Sequence, residues 1–161
     1  MKAVMIYYSL EGNTDFIATK IAEMTGADSV RLIPKKEFSK GNFKKFIWGG
    51  KSAVFNEKPK LINEKINLDL YDTIIIGTPI WAGTFSPPIM TFLNDYTFKD
   101  KNIFLFACHA GGGAQKCFDK IKKMVTGNTV INSVDFLDPL KKAKEDTTEK
   151  IQSFCSSVMK S

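Results

Sequence analysis

Histidine and arginine are almost missing from this sequence: His109 and Arg31 are the only examples. With one imidazole, and three cysteines (Cys108, Cys117 and Cys155) that form no CxxC pair, the chain lacks the ligand spacing of a structural zinc site. An odd, scattered set of cysteines also argues against a disulfide framework and for reduced thiols in a cytoplasmic protein. No apolar run is long enough to span a bilayer, so no membrane partner is expected. Met1–Tyr8 is apolar, but Ser9–Thr14 follows at once, with neither a long apolar stretch nor a small-residue cleavage site. That start predicts a strand rather than a secretory signal. Internal repeats and low-complexity linkers are lacking too.

What remains is ordinary for one globular unit. The 161 residues predict a single domain over 1–161. A chain of this size buries roughly 68–70% of its unfolded surface, enough for a core. The net charge of +6 is concentrated: residues 35–60 carry eight lysines (35, 36, 40, 44, 45, 51, 58, 60) against Glu37 and Glu57, and the rest of the chain is neutral. Phe38, Phe43, Phe46, Trp48 and Phe55 are interleaved with those lysines. Basic and aromatic residues together can bind single-stranded nucleic acid. A solvated lysine surface with its aromatics packed inward is the simpler account, and nucleic acid is not an expected partner.

Ala3–Tyr8, Thr73–Gly77 and Ile103–Ala107 are nearly continuous apolar runs of strand length, as in strands buried on both faces of a parallel sheet. Ser29–Ile33 and Thr129–Phe136 are more mixed and suit sheet edges. Helical stripes lie between them: Ile17, Ile21 and Met24, stopped by Gly26; Ile89, Phe92, Leu93 and Tyr96, capped by Ser86 with Pro87 in the first turn; Cys117, Phe118, Ile121, Met124 and Val125; and Ile151, Phe154, Cys155 and Val158. This alternation predicts an α/β fold: a five-stranded parallel sheet in the order 2-1-3-4-5, with helices on both faces, making three layers. Pro34–Leu70 is the least legible stretch, with a short helix expected somewhere in it.

Ligands of open α/β sheets sit beyond the carboxyl ends of the central strands. All three central strands here run into unusual loops. The first is Ser9, Leu10, Glu11, Gly12, Asn13 and Thr14, at the start of a helix, where free N–H groups and the helix dipole favour an anion. A plain capping turn would use the same residues. The second runs from Gly77 through Thr78, Pro79, Ile80, Trp81, Ala82 and Gly83 to Thr84; a tryptophan among turn residues is poorly placed for burial in the sheet and well placed to stack on a flat ring. Packing under the following helix is the alternative. The third is Cys108, His109, Ala110, Gly111, Gly112 and Gly113, where consecutive glycines admit close backbone approach to a ligand, or simply make a loose turn.

Tyr8-Ser9-Leu10-Glu11-Gly12-Asn13-Thr14 resembles the phosphate loop of the flavodoxin family, usually S/T-x-T-G-N-T, with Glu11 in place of a threonine. The resemblance spans essentially the whole chain apart from residues 35–70. It implies a flavodoxin-like fold that holds flavin mononucleotide (FMN). The first loop would wrap the phosphate without lysine or arginine, and the Glu11 carboxylate would point outward, away from it. Trp81 would cover one face of the isoalloxazine, and the glycine-rich third loop would meet its pyrimidine edge through backbone groups. Where the family commonly places after the aromatic a glycine whose peptide can flip toward the reduced flavin, this chain has Ala82, with Gly83 one later, and a flip at Ala82 would cost more because only glycine visits positive φ freely.

Related topologies are excluded by what the loops lack. A receiver domain needs aspartates where Tyr8-Ser9 and Gly77-Thr78 stand, and a low-molecular-weight tyrosine phosphatase needs an arginine close after a cysteine. A Rossmann GxGxxG after the first strand is missing as well. Cys108-His109 suggests a thiolate–imidazole pair, but no orienting acid is evident in the sequence. The leading expectation is a low-potential electron-transfer protein whose redox partner proteins dock an acidic surface on the lysine-rich segment 35–60. The alternatives are an FMN-dependent NAD(P)H or quinone reductase of the same fold, and a binding module that has lost its flavin.

Overall fold

The computed structural model of the chain describes residues 2–38, 58–142 and 145–161. Three apolar runs set its middle. β1 (Ala3–Tyr7), β3 (Thr73–Trp81) and β5 (Asn102–His109) lie in parallel with nearly all their residues buried. β2 (Asp28–Arg31) pairs with β1 and β6 (Thr129–Leu137) with β5, which gives the order β2-β1-β3-β5-β6. Counted over the parallel strands alone, this is the expected 2-1-3-4-5, with the more polar strands at the edges where one side meets water.

Alternation along the central strands sorts their side chains onto two faces. Val4, Ile6, Ile74, Ile76, Ile103 and Leu105 pack with Ile89, Phe92 and Leu93 of α2 (Pro87–Asp95) and Cys117, Phe118 and Ile121 of α3 (Ala114–Met124). Met5, Tyr7, Ile75, Phe104 and Phe106 pack with Ile17, Ala18 and Ile21 of α1 (Asn13–Thr25) and Phe154, Cys155 and Val158 of α4 (Glu145–Met159). α1, α3 and α4 thus commit one stripe to the sheet and turn their polar faces to solvent, whereas α2 is buried along most of its length, and its Thr91 hydroxyl donates to the Pro59 carbonyl at 2.9 Å. α1 stops where Gly26 turns to φ +67° and donates its N–H to the Ala22 carbonyl at 2.9 Å.

Two features depart from the expected sheet. The segment read as a loop from Gly77 to Thr84 is instead a strand that continues through Trp81 and folds back as β4 (Thr84–Phe85), antiparallel to it. Ala82 and Gly83 form the two-residue turn, both at positive φ (+47° and +73°), as a type I′ hairpin requires. The second feature is a bulge in β6. Ile103 is paired with Val130 but Phe104 with Asn132, so Ile131 is skipped and half exposed.

In the stretch 34–70, Pro34 bridges Leu61, and the helical turn found among the described residues is a short 3-10 turn at Leu68–Leu70. Residues 39–57, with most of the lysine-rich segment, lie outside the described residues. No helix among the described residues is long and apolar enough to cross a membrane.

The centre of the sheet is tight at Gly77, which sits beside Phe106 in register. A Cβ there would lie 2.1 Å from Phe106 Cζ, and that ring is fully buried with no room to retreat. Gly77→Ala should therefore destabilise the protein by about 1–3 kcal/mol through overpacking. Urea denaturation checks this, and Gly77→Ala combined with Phe106→Leu should recover most of the loss.

Candidate functional site

The carboxyl ends of β1, β3 and β5 open into one cavity of about 380 Å³, within the range of small-molecule and cofactor sites. Its wall contains Ser9, Leu10, Glu11, Asn13, Thr14, Pro79, Ile80, Trp81, Ala82, Gly83, Cys108, His109, Ala110, Gly111, Gly112 and Gly113. Two residues expected at the site, Gly12 and Thr78, are not in that wall, and Asp138 is an unexpected member. A hollow of about 570 Å³ opens elsewhere, between Lys65–Asp69 and Asp95–Thr97. Among the described residues none of its lining side chains holds a buried polar atom without a partner, so size alone would select the wrong place.

The first loop is shaped by Gly12, whose φ of +94° turns the chain into α1. Its carbonyl accepts the Phe16 N–H at 2.9 Å, and no side chain caps the helix. The early amides of α1 are left to meet whatever enters the cavity. Ser9 Oγ and Thr14 Oγ1 are buried beside them, and neither meets an oxygen or nitrogen partner among the described residues, with only the Cys108 thiol near Thr14. Each buried, unsatisfied hydroxyl costs about 1–3 kcal/mol. Two of them at a bare helix N-terminus make a pocket chemically matched to an oxyanion. Glu11 is exposed, and the lining residues include no lysine or arginine.

Three supports of this loop carry no motif in the sequence. Arg31, from β2, donates through Nη2 to the Ser9 carbonyl at 2.9 Å and lies 3.7 Å from Asp15, so the lone guanidinium braces the loop from behind. Asp15 also accepts the Tyr7 hydroxyl at 2.7 Å; burial, then this aspartate, pushes the Tyr7 phenol up to about 12. From the β6–α4 connection, Leu140 donates its N–H to Asn13 Oδ1 at 3.0 Å. A Cβ on Gly12 would lie 3.2 Å from Leu140 Cδ1.

On the second wall, Thr78 turns inward. Its hydroxyl accepts the Ser86 N–H at 3.0 Å and lies 3.2 Å from Ser86 Oγ, which ties the returning chain to β3. Trp81 is not held out in a loop. It is 1% exposed, edge-to-face with Tyr8 (6.0 Å) and Phe38 (5.3 Å), and reaches the cavity from within this aromatic cluster. The sequence argument failed here because it took the glycine and proline neighbours for a turn, whereas the strand runs on. Ala82, where a positive φ is costly, sits at +47° in the hairpin turn.

The third wall touches the second. A Cβ on Gly113, at φ +89°, would lie 3.0 Å from Gly83 Cα, so the glycine loop and the hairpin tip pack backbone to backbone. His109 is not without an orienting acid: Nε2 lies 2.8 Å from Asp135 Oδ2 on β6. Its backbone carbonyl accepts the Asp138 N–H at 2.9 Å. Cys108 is no partner in nucleophilic chemistry, since burial pushes its thiol up to about 12, with the Thr14 hydroxyl pulling the other way. Among the described residues no group of acids, cysteines and histidine could hold a metal ion.

A family model described as Flavodoxin matches residues 2–152. No curated protein matches the chain. Among solved structures, a protein of Bacteroides eggerthii DSM 20697, named provisionally a flavoprotein, is 23% identical over 96% of each chain with a TM-score of 0.77. Its counterpart from Bacteroides uniformis ATCC 8492 is 22% identical over 94% of this chain and 97% of its own, TM-score 0.79. A flavoprotein of Lactobacillus acidophilus NCFM, solved in complex with FMN, is 24% identical over 89% of this chain and 99% of its own, TM-score 0.71. At these identities the likeness is one of fold.

The hairpin carries a local strain that can be measured. An alanine in the left-handed region costs about 1 kcal/mol, so Ala82→Gly should raise stability by up to that amount and Ala82→Val should lower it. Thermal or urea unfolding of the two variants checks the sign of each.

Proposed function

The chain belongs to the flavodoxin family, and from that premise we propose that it holds FMN non-covalently in the three-loop cavity and serves as an electron carrier. The observation that carries this reading is the pair of buried hydroxyls, Ser9 Oγ and Thr14 Oγ1, which meet no oxygen or nitrogen partner among the described residues at the bare N-terminus of α1. A phosphate would satisfy both, together with the first amides of the helix, and the dipole would favour its charge in place of a cation. Arg31 contributes by holding the Ser9 carbonyl and therefore the shape of the loop. The Lactobacillus relative of the same fold, solved with FMN, supports the choice of ligand.

Bound there, FMN would supply the redox chemistry, and the protein sets what surrounds it. The Ala82–Gly83 tip and the His109–Gly113 loop meet backbone to backbone at Gly83 and Gly113, and both line the cavity together with Trp81. A flat ring held there would lie against these backbone groups and the aromatic cluster. The lining includes the acidic residues Glu11 and Asp138 and no lysine or arginine, a balance that disfavours added negative charge and so suits a low potential.

Removal of either hydroxyl should act with opposite sign on binding and on folding. Ser9→Ala and Thr14→Val should each weaken FMN binding by about tenfold or more, as expected for hydrogen bonds to a charged group. Each should leave the stability of the ligand-free protein unchanged or raised. Quenching of FMN fluorescence and urea unfolding measure the two effects. Carrier and reductase are separated by an anaerobic absorption spectrum of the FMN-loaded protein. The carrier keeps its flavin band with NADH or NADPH and loses it with dithionite or a separate reductase; rapid bleaching by the pyridine nucleotide alone would assign a reductase instead.

The docking face we infer is basic. Lys35 and Lys36 are exposed next to Lys58 and Lys60, and the Lys35 N–H donates to the Lys60 carbonyl at 2.7 Å, so the two lysine pairs share one patch. A redox partner with an acidic surface complements it. Electron-transfer rates with such a partner should fall as ionic strength rises, and stopped-flow rates that ignore salt would count against this face.

A further inference from the structure

We propose that His109 is a side-chain contact to the bound flavin, presented in one fixed tautomer by Asp135. The inference rests on the FMN reading and adds to it a side-chain contact from the third loop, which was expected to act through its backbone.

The geometry leaves the imidazole one free side. The carboxylate Asp135 Oδ2 can only accept, so at 2.8 Å it assigns the proton to Nε2. Nδ1 on the other edge of the ring is then a lone-pair acceptor in the neutral form. That atom is buried and has no partner among the described residues, and the side chain as a whole is 10% exposed. A core histidine would spend both nitrogens on protein groups. His109 spends one and lies in the wall of the cavity. Its backbone is equally constrained, because it ends β5 and its carbonyl holds the Asp138 N–H at 2.9 Å.

The ligand atom that fits is a donor. Oxidised isoalloxazine carries a single ring N–H, the imide of its pyrimidine edge; its other ring heteroatoms accept. Neutral Nδ1 is therefore complementary to that imide, and a protonated ring, with Nδ1–H as a donor, is not.

His109 is the only histidine in the chain, so the untagged protein labelled with ¹⁵N-imidazole gives one readable pair of ring signals. On adding FMN, the unprotonated Nδ1 resonance should move while the Nε2–H signal keeps its hydrogen-bonded shift. His109→Phe should bind FMN about three- to tenfold more weakly. N3-methyl-FMN should bind the wild-type protein more weakly than FMN, and that preference should shrink in His109→Ala, which leaves room for the methyl group. If FMN binds but the Nδ1 signal stays still and the preference survives in His109→Ala, the His109 contact is wrong while the flavin reading stands. If FMN fails to bind the wild-type protein, both fall together.

Discussion

Burial of β1, β3 and β5 on both faces is the condition from which the rest of the molecule follows. Strands sealed from water on each side must satisfy their N–H and C=O groups with one another, and these three do so in parallel, in register, from Ala3 to Tyr7 and alongside. Parallel strands deliver their carboxyl ends to the same edge. Backbone groups beyond that edge have no ladder left to join, so the loops emerging there hold the chemistry. Gly77 shows how little slack the arrangement has, since the Phe106 ring occupies the space that any larger residue would need.

The sequence made the central sheet legible because apolar runs of strand length have few other interpretations, and the helical stripes between them had a clear stop at Gly26 and a clear start at Pro87. The three loops were legible from their glycine, hydroxyl and aromatic content. The β3–β4 hairpin was not, because its turn is Ala-Gly rather than the usual Asn-Gly or Asp-Gly, and without the hairpin Trp81 looked like a loop residue. Arg31, Asp135, Asp138 and Leu140 were missed for another reason: each reaches the site from an edge strand or a distant connection, and nothing local marks it. One signal was there to be used. A lone arginine and a lone histidine in a lysine-rich chain are each placed where a fork of donors or a titratable ring does what lysine cannot.

Charge at the cavity is arranged with restraint. The lining includes the acidic residues Glu11 and Asp138 and no lysine or arginine, although the chain as a whole is basic. An anion held by amides and hydroxyls is held by direction rather than by net charge, so it is selected for its shape and oxygen geometry. Lys35, Lys36, Lys58 and Lys60 are exposed outside that lining. A basic docking face there would keep the holding of a small anion and the meeting of a large partner on different parts of the surface.

The bulge at Ile131 gives the histidine pair an unusual kind of inheritance. In a parallel sheet paired residues share a face, and the skipped residue sets Asp135 opposite Ala107, on the face of His109. Without the bulge, with Ile131 paired to Phe104, every residue of β6 beyond Val130 would move one step, and Asp135 would pair with Cys108 and face the other way. The pair is therefore written in the bulge as much as in the two residues themselves. Descendants could exchange many side chains of β6 and keep it, yet lose it if the residue at 131 joined the ladder. In a lineage of such chains, the irregular register rather than percentage identity would trace who kept the contact.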